Sequence, residues 1–353
     1  MYRSSMRNGF KEKGTMPKRI VFQDVKKAEL EEFDLPGPKE GDVSVKTLFS
    51  MMSIGTENII YNKIYEPGSH WDLWVGQYPF YPGYCCVGEV QETKGCKFGL
   101  KAGDRVVLRG GHASGHVIEE DKCFLVPDGV KSQDALWFAF AKIAFMGIKA
   151  ANIELGDSAM VIGAGPIGQM ALRWLFALGT EKITVVDVFQ KRLELAKLGG
   201  ADMTIDKSTE SSKKDADQTG QVFKKAFGGN NDDSPQLVMD CTGNDEVFQE
   251  ALQTVANQGR VVLLGDTGYP SNQRLTSDVM IRGIKLTGAH DLHETARWNA
   301  EHIYRYFFHL VRTNRFNLDQ LITHRFKPEN CQEAYQTANT SRQDTMGIVF
   351  EWN

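Results

Sequence analysis

The chain has 353 residues, 41% of them hydrophobic and 24% charged, and carries a formal net charge of −4. Such a length exceeds what one growing core holds and points to two domains, and the acidic balance offers no polycationic face for nucleic acid or an anionic membrane. Six cysteines (Cys85, Cys86, Cys96, Cys123, Cys241 and Cys331) form no C-x-x-C pair, and with no signal peptide ahead of them they suit reduced thiols in a cytoplasm.

Residues 1–16 are polar, basic and without period, and Met16 stands just before the first strand-like run, Arg19 to Phe22. This stretch reads as a disordered extension or an upstream start. From Pro17 to about Val130 short β runs (KRIVF, AELEEF, DVSVKTLFSMM, VGEVQE, DRVVL, GHVIEE, CFLVP) alternate with the turn signals PGP, EGD, PGY, KAGD and PDG. That is the pattern of a barrel-like all-β region. The period then changes to helical from Gln133 to Ala151. Its most apolar part, Ala135 to Ile148, is too short to span a membrane and contains Lys142, so it reads as a buried helix.

The stretch from Ser158 to Asp187 reads as strand, glycine turn, helix and second strand ending in an acid. Gly163, Gly165 and Gly168 form G-x-G-x-x-G and open into an apolar helix, Pro166 to Leu178. Gly163 permits the tight turn, Gly165 the approach of a pyrophosphate, and Gly168 close packing of helix on strand; the phosphates meet free N–H groups at the positive helix end. Pro166 in the first turn loses no needed donor. Asp187, about 20 residues past the last glycine, is placed to accept from both hydroxyls of an adenine ribose and to repel a 2′-phosphate, which favours NAD over NADP. Ile167, Arg192, Thr242 and Gly265 complete the expected cofactor-binding set. Further βαβ units follow, with strands at Asp202–Ile205, Leu237–Asp240 and Arg260–Leu264 and helices at Lys191–Leu198 and Asp245–Val255. Between them, residues 207–218 read as a solvated loop leading into a helix over 222–227. After Ile284 the rhythm stops; an amphipathic helix, Arg297 to Thr313, and a strand, Gly347 to Trp352, return to the all-β part.

A β-rich first part, a connecting helix, the GAGPIG turn with its acid and a C-terminal return resemble the medium-chain alcohol dehydrogenase superfamily. The supporting motifs are I-G-T-E (Ile54 to Glu57), P-G-Y-C-C-V-G-E-V (Pro82 to Val90), G-D-R-V-V (Gly103 to Val107) and G-G-H-A (Gly110 to Ala113). The resemblance implies an α/β fold: a GroES-like β-barrel catalytic domain, residues 17–137 and 285–353, plus a Rossmann doubly wound parallel-sheet domain, residues 138–284, with the active site in their cleft. It also implies a homodimer, or a tetramer, through the nucleotide-binding domains. Where zinc-dependent members carry C-G-T-D and G-H-E, this chain has Ile54 before Gly55-Thr56 and Gly83-Tyr84-Cys85, and their third ligand aligns with Phe138. Catalytic zinc needs three protein ligands and an open position. Cys85 alone cannot hold it, and the four-cysteine structural lobe is missing too, so the expectation is a protein without zinc.

Another group must then handle the proton. Thr56 matches the family's relay hydroxyl, while the histidine that continues the relay falls at Ile59. Lys142, one helical turn beyond Phe138, Tyr84 and His290 are the other candidates for acid or base. Each also has a plain reading: a paired buried lysine, an aromatic filling vacated space, a polar strand end. His112 reads as structural, and Cys85 as an inert thiol because no basic neighbour is visible to activate it. Glu57, Ile54, Cys85, His112 and Phe138 are expected around the substrate, together with Trp71 and Trp74 of an aromatic insertion between Glu57 and Tyr84. That insertion suits a sugar or cyclitol face, a core edge or a dimer contact equally. The leading expectation is an NAD(H)-dependent, zinc-independent enzyme interconverting a secondary alcohol and its ketone. The alternatives are a quinone or enone reductase and a non-catalytic NAD-binding subunit.

Overall fold

The computed structural model of the protein describes residues 16–208 and 234–352. The first part is a hairpin, β1 (Lys18–Asp24) and β2 (Lys27–Glu32), followed by β3 (Asp42–Met51), helix α1 (Thr56–Asn62), β4 (Cys86–Thr93), β5 (Arg105–Leu108), β6 (Gly115–Glu119) and β7 (Cys123–Leu125). The buried side chains of β4 and β5 are Val, Cys and Leu, branched or compact groups that suit a pleated surface, with Gly88 buried among them. A helix, α2 (Phe138–Ala151), leads into the second part: β8 (Ser158–Ile162), α3 (Pro166–Leu178), β9 (Lys182–Asp187), α4 (Gln190–Leu198), β10 (Met203–Asp206), β11 (Leu237–Asp240), α5 (Asp245–Thr254), β12 (Arg260–Leu263) and β13 (Lys285–Gly288). Helix α6 (Ala300–Arg312), β14 (Ile322–Phe326), α7 (Cys331–Thr340) and β15 (Gly347–Glu351) close the chain.

The six strands of the second part run in the order β10-β9-β8-β11-β12-β13, all parallel. This is the doubly wound dinucleotide-binding order, whose direction reverses between β8 and β11 and leaves a crevice at the strand ends there. The all-β part is a seven-stranded sheet, β14-β15-β3-β4-β5-β7 with β6 on β3, so the C-terminal strand does return to it as expected. The β1–β2 hairpin touches that part through bridges Arg19–Ala113 and Phe22–Phe80. One buried cluster runs through both parts, from Cys85 and Val107 through α2 to Met170, Trp174 and Leu237, with Tyr304 and Phe307 of α6 packed into it. Among the described residues no helix is long and apolar enough to cross a membrane.

Two expectations change. The helix expected over 133–151 is interrupted: Ser132–Ala135 is one helical turn, and Leu136 and Trp137 form a turn before α2 begins. The Trp137 indole lies where a Cβ on Gly347 of β15 would be only 2.9 Å from Cζ2, so packing against the last strand overrides the helical period. The second part also extends past Ile284, because β13 is its sixth strand. Lys285, Thr287 and Gly288 are exposed at the sheet edge, which hides the strand from an apolar pattern. Residues 1–15 and 209–233, including the helix expected over 222–227, lie outside the described residues.

The strand β6 carries a titration with a readable consequence. His116 has its Nε2 closed off with no hydrogen-bond partner, and burial, with His112 beside it, pushes its pKa down to about 4. The unfolded imidazole takes up its proton near the usual 6.5 and the folded one only near 4, so stability is full above about pH 6.5 and falls as the pH drops through this window. The expected loss is about 3 kcal/mol, at roughly 1.4 kcal/mol per pH unit. Urea unfolding at pH 7 and pH 4.5 should show it, and His116→Phe should flatten the profile.

Candidate active site

The glycine turn after β8 is built as a cradle. Gly163 sits at φ +92°, in the left-handed region, and a Cβ on it would be 2.6 Å from Thr242 Cγ2 across the crevice. A Cβ on Gly168 would lie inside the Gly163 carbonyl, so α3 can approach β8 only with glycine there. Gly165 caps α3 in extended backbone, Pro166 and Ile167 follow in its first turn, and Gly165 has open space, the nearest atom to a Cβ being Arg192 Nη1 at 3.7 Å. Gly265, past β12, has Thr242 N and Gly243 N 2.5 Å from where its Cβ would be. The strand ends at the switch point are therefore kept free of side chains on three sides.

Asp187 ends β9 and is buried. Its Oδ1 accepts from Val188 N (2.8 Å) and Phe189 N (2.9 Å), and its Oδ2 from Ala164 N (2.7 Å). A carboxylate has about four acceptor sites, so one remains, on Oδ2. The expectation that it takes both ribose hydroxyls therefore narrows to one, and its other task is to fix the glycine turn through Ala164. Arg192 Nη1 stands 4.0 Å from Oδ2, while its Nη2 donates to Arg342 O (2.9 Å). Thr242 is held by Asp240, whose Oδ1 accepts both its amide and its hydroxyl. All nine expected cofactor-site residues thus gather at one crevice, and the open space at Gly165 beside the start of α3 fits a pyrophosphate.

On the opposite side, the positions of the zinc ligands carry no donor set. Ile54 is buried in an apolar cluster with Met52 and Ile60, Phe138 packs edge-on against Tyr304 (4.9 Å), and of the four residues at these positions only the buried Cys85 carries a sulfur. Tyr84 Oη lies 2.7 Å from Ser53 Oγ. Among the described residues no group of three or more His, Cys, Asp or Glu side chains could hold a metal ion. The residues present do not fit the zinc that the fold family's ligand positions imply.

Around Tyr84 stands a cluster of charges that sequence spacing did not show. The Arg109 guanidinium, from the end of β5, lies 5.1 Å from the centre of the Tyr84 ring, and its Nη2 is 2.8 Å from Asp291 Oδ2, though its N–H is not aimed along that line. Lys142 is 4% exposed, and its ammonium meets Asp291 O (3.0 Å), Asp291 Oδ1 (2.8 Å) and Glu294 Oε1 (2.6 Å). Two N–H donors are used on Asp291 and the Glu294 carboxylate lies in ion-pair contact, so the buried lysine is paired and its ion pairs tie α2 to the segment after β13.

The other candidates separate. Glu57 is 1% exposed; it accepts from Ser53 N (2.7 Å) and Tyr335 Oη (2.5 Å) and pairs with His112 Nε2 (3.2 Å), whose Nδ1 meets Ser50 Oγ (2.8 Å). Glu57 and His112 therefore lie behind the pocket wall and hold it, rather than lining it. Thr56 starts α1, half-buried, its hydroxyl unpartnered among the described residues. His290 is exposed and its Nδ1 accepts from Leu292 N (3.1 Å), as befits a polar strand end.

The aromatic insertion forms a strap onto the nucleotide-binding part. Glu66 N donates to Gly268 O (2.8 Å), Trp71 Nε1 to Thr267 O (2.9 Å), His70 meets Asp266 (2.9 Å), and Glu66 accepts from Ser271. Trp71 is thus buried in the strap. Trp74 is 79% exposed and is not carried into the pocket.

Residues 166–301 match the family model described as zinc-binding dehydrogenase. The chain is 31% identical over 205 residues to L-arabinitol 4-dehydrogenase of Aureobasidium melanogenum, covering 56% of this chain and 50% of that one. It is 25% identical over 360 residues to L-threonine 3-dehydrogenase of Marinomonas sp., covering 91% and 95%. The chain spans about half the length of the first curated relatives it matches. The solved structure of 2R,3R-butanediol dehydrogenase from Bacillus subtilis superposes with a TM-score of 0.78 at 19% identity, over 96% of this chain and all of that one. Over residues 166–301 the chain is therefore similar to the zinc-binding dehydrogenases, and over nearly its whole length it shares the fold of the butanediol dehydrogenase.

Proposed function

We propose that the protein is an NAD(H)-dependent oxidoreductase that interconverts a secondary alcohol and its ketone without a catalytic metal. The carrying observation is the pairing of a side-chain-free dinucleotide crevice with a pocket whose metal-ligand positions hold Ile54, Tyr84 and Phe138. A bound nicotinamide supplies or takes up the hydride. Gly163, Gly165 and Gly168 leave room for the pyrophosphate, Asp187 takes one ribose hydroxyl, and Tyr84, Ser53 and Thr56 face the oxygen that gains or loses a proton. The named relatives act on hydroxylated small molecules, arabinitol, threonine and butanediol, which supports a polyol, sugar, cyclitol or ring-bearing alcohol here. Asp187 favours NADH over NADPH by charge, with Arg192 nearby reducing the difference. The thiols, free among the described residues, suit a reducing cytoplasm. Exposed Leu275, Met280 and Ile281 in the loop and helical turn leading to edge strand β13 suit a second copy of the chain.

Purified protein should therefore be a homodimer, carry no stoichiometric zinc and bind NADH more tightly than NADPH, with Asp187→Ser narrowing the gap. Sedimentation, metal analysis and fluorescence titration check this; one zinc per chain overturns the metal-free reading, and an NADPH preference favours the quinone or enone reductase instead. A screen of polyols, cyclitols and aromatic secondary alcohols with NAD then finds the substrate.

A further inference from the structure

We propose that Tyr84 is the proton donor for carbonyl reduction in this pocket, with Ser53 and Arg109 as the residues that position and polarise it; the inference rests on the hydride-transfer reading above. The rivals are engaged elsewhere. Lys142 is buried and ion-paired with both Asp291 and Glu294, both ring nitrogens of His112 are partnered by Ser50 and Glu57, and the Cys85 thiol is fully buried. An alcohol such as Thr56 is too weak an acid to protonate an oxygen unaided. Tyr84 is half-buried, and its hydroxyl has a single partner, Ser53 Oγ at 2.7 Å. Ser53 Oγ has no other partner among the described residues, so it is free to donate to the phenol oxygen and leave the phenol's own proton for a substrate.

The surroundings support this role from three sides. Ser53 is held by its amide, which donates to Glu57 Oε1 (2.7 Å), and Glu57 is anchored by His112 and Tyr335, so the serine is fixed by a buried scaffold. Arg109, 5.1 Å from the ring centre, places a cation where it stabilises negative charge developing on the phenol. The ring packs on Phe140 at 5.7 Å, which fixes its plane. Burial, with the neighbouring Cys85, pushes the phenol pKa well up, opposed by Ser53 and Arg109, so Tyr84 is fully protonated at neutral pH. A protonated phenol can give up a proton to the substrate but cannot take one from it. The arrangement therefore suits the ketone-to-alcohol direction.

The step balances as follows. As the carbonyl carbon receives the hydride with its two electrons, the π pair moves to the carbonyl oxygen, which takes the proton from Tyr84 Oη. One O–H bond breaks and one forms. The phenolate that remains carries the charge, accepts from Ser53 and is neutralised by a proton from water. The charged and titratable groups facing it are Arg109, Cys85 and Glu57, with Asp291 behind Arg109.

The test compares wild type with Tyr84→Phe and Ser53→Ala, each as the full chain, using fructose, acetoin and acetophenone as probe ketones with NADH. Tyr84→Phe should lower kcat by about 10²–10⁴-fold, the usual contribution of a positioned acid. Its Kd for NADH, read by fluorescence, should stay within about twofold, since the phenol lies outside the dinucleotide crevice. Ser53→Ala should lower kcat by about tenfold, one hydrogen bond's worth. It should also raise the ionisation midpoint of Tyr84, read as the ultraviolet titration difference between variants with and without the phenol. Retention of a third or more of kcat in Tyr84→Phe overturns the assignment. If wild type reduces none of the probes, the hydride-transfer reading fails for them, and the ultraviolet titration alone decides: an unshifted Tyr84 in Ser53→Ala overturns the proposed pairing.

Discussion

Gly168→Ala should destabilise the unliganded protein and remove dinucleotide binding, whereas Gly165→Ala should remove binding alone. A Cβ on Gly168 would lie inside the Gly163 carbonyl and 2.9 Å from its carbonyl carbon. Both are backbone atoms of the turn and cannot rotate away, so either the turn shifts or α3 lifts from β8. Overpacking of this kind costs about 1–3 kcal/mol or more, which at about 2–4 °C per kcal/mol for a domain of this size lowers the melting temperature by roughly 5–10 °C. A Cβ on Gly165 meets nothing closer than Arg192 Nη1 at 3.7 Å, and its φ of −69° suits any residue. Its melting temperature should stay within about 1 °C, since surface changes away from packing are nearly neutral. The added methyl would nevertheless occupy the space a pyrophosphate needs, weakening NADH by at least about tenfold, or 1.4 kcal/mol. Calorimetry of the free proteins and fluorescence titration with NADH separate the effects. Gly165→Ala binding NADH as tightly as wild type would place the pyrophosphate elsewhere.

Glu57→Ala is expected to be the most destabilising single change in the first domain. The carboxylate is enclosed and serves three donors from three elements: the Ser53 amide after β3, the His112 ring beyond β5 and the Tyr335 phenol of α7. Removing it leaves an amide, an imidazole and a phenol buried without their acceptor. Breaking such a centre by removing one partner costs about 3–5 kcal/mol, whereas Glu57→Gln keeps one carbonyl acceptor and should lose roughly half as much. The shift in urea midpoint at unchanged slope measures both. A Glu57→Ala protein within 1 kcal/mol of wild type would show that water enters and replaces the carboxylate.

The dinucleotide crevice was legible because its parts are local. Gly163, Gly165 and Gly168 lie within six residues, and Asp187 follows at the end of the very next strand, so a single βαβ unit carries the pattern. The return of β15 was legible too, from its apolar run. The pocket was only half legible. That the positions of Ile54, Tyr84 and Phe138 carry no ligand side chain could be read from residue type, but the charges gathered around them could not. Lys142 and Asp291 are 149 residues apart, and Tyr84 and Ser53 are 31 apart on separate segments. Arg109, ending the strand VVLRGG, gives no sign of where its side chain points. Glu57 and His112 were expected around the substrate; only the burial of the carboxylate and the imidazole ring shows them as scaffold. A signal for Arg109 did exist in its charge, directly after the apolar strand β5, where an unpaired buried ion is costly. Edge strand β13 went unread because most of its side chains face solvent.

The strap from Glu66 to Trp71 joins the first domain to residues 266–271, and the loop it grips begins directly after Gly265, a wall of the dinucleotide crevice. The grip combines a backbone bond, the indole and the side chains of Glu66 and His70, so it does not rest on a single contact. Any motion that widens the cleft therefore pulls on the crevice wall itself, and the two halves of the protein exchange mechanical load through the ligand site.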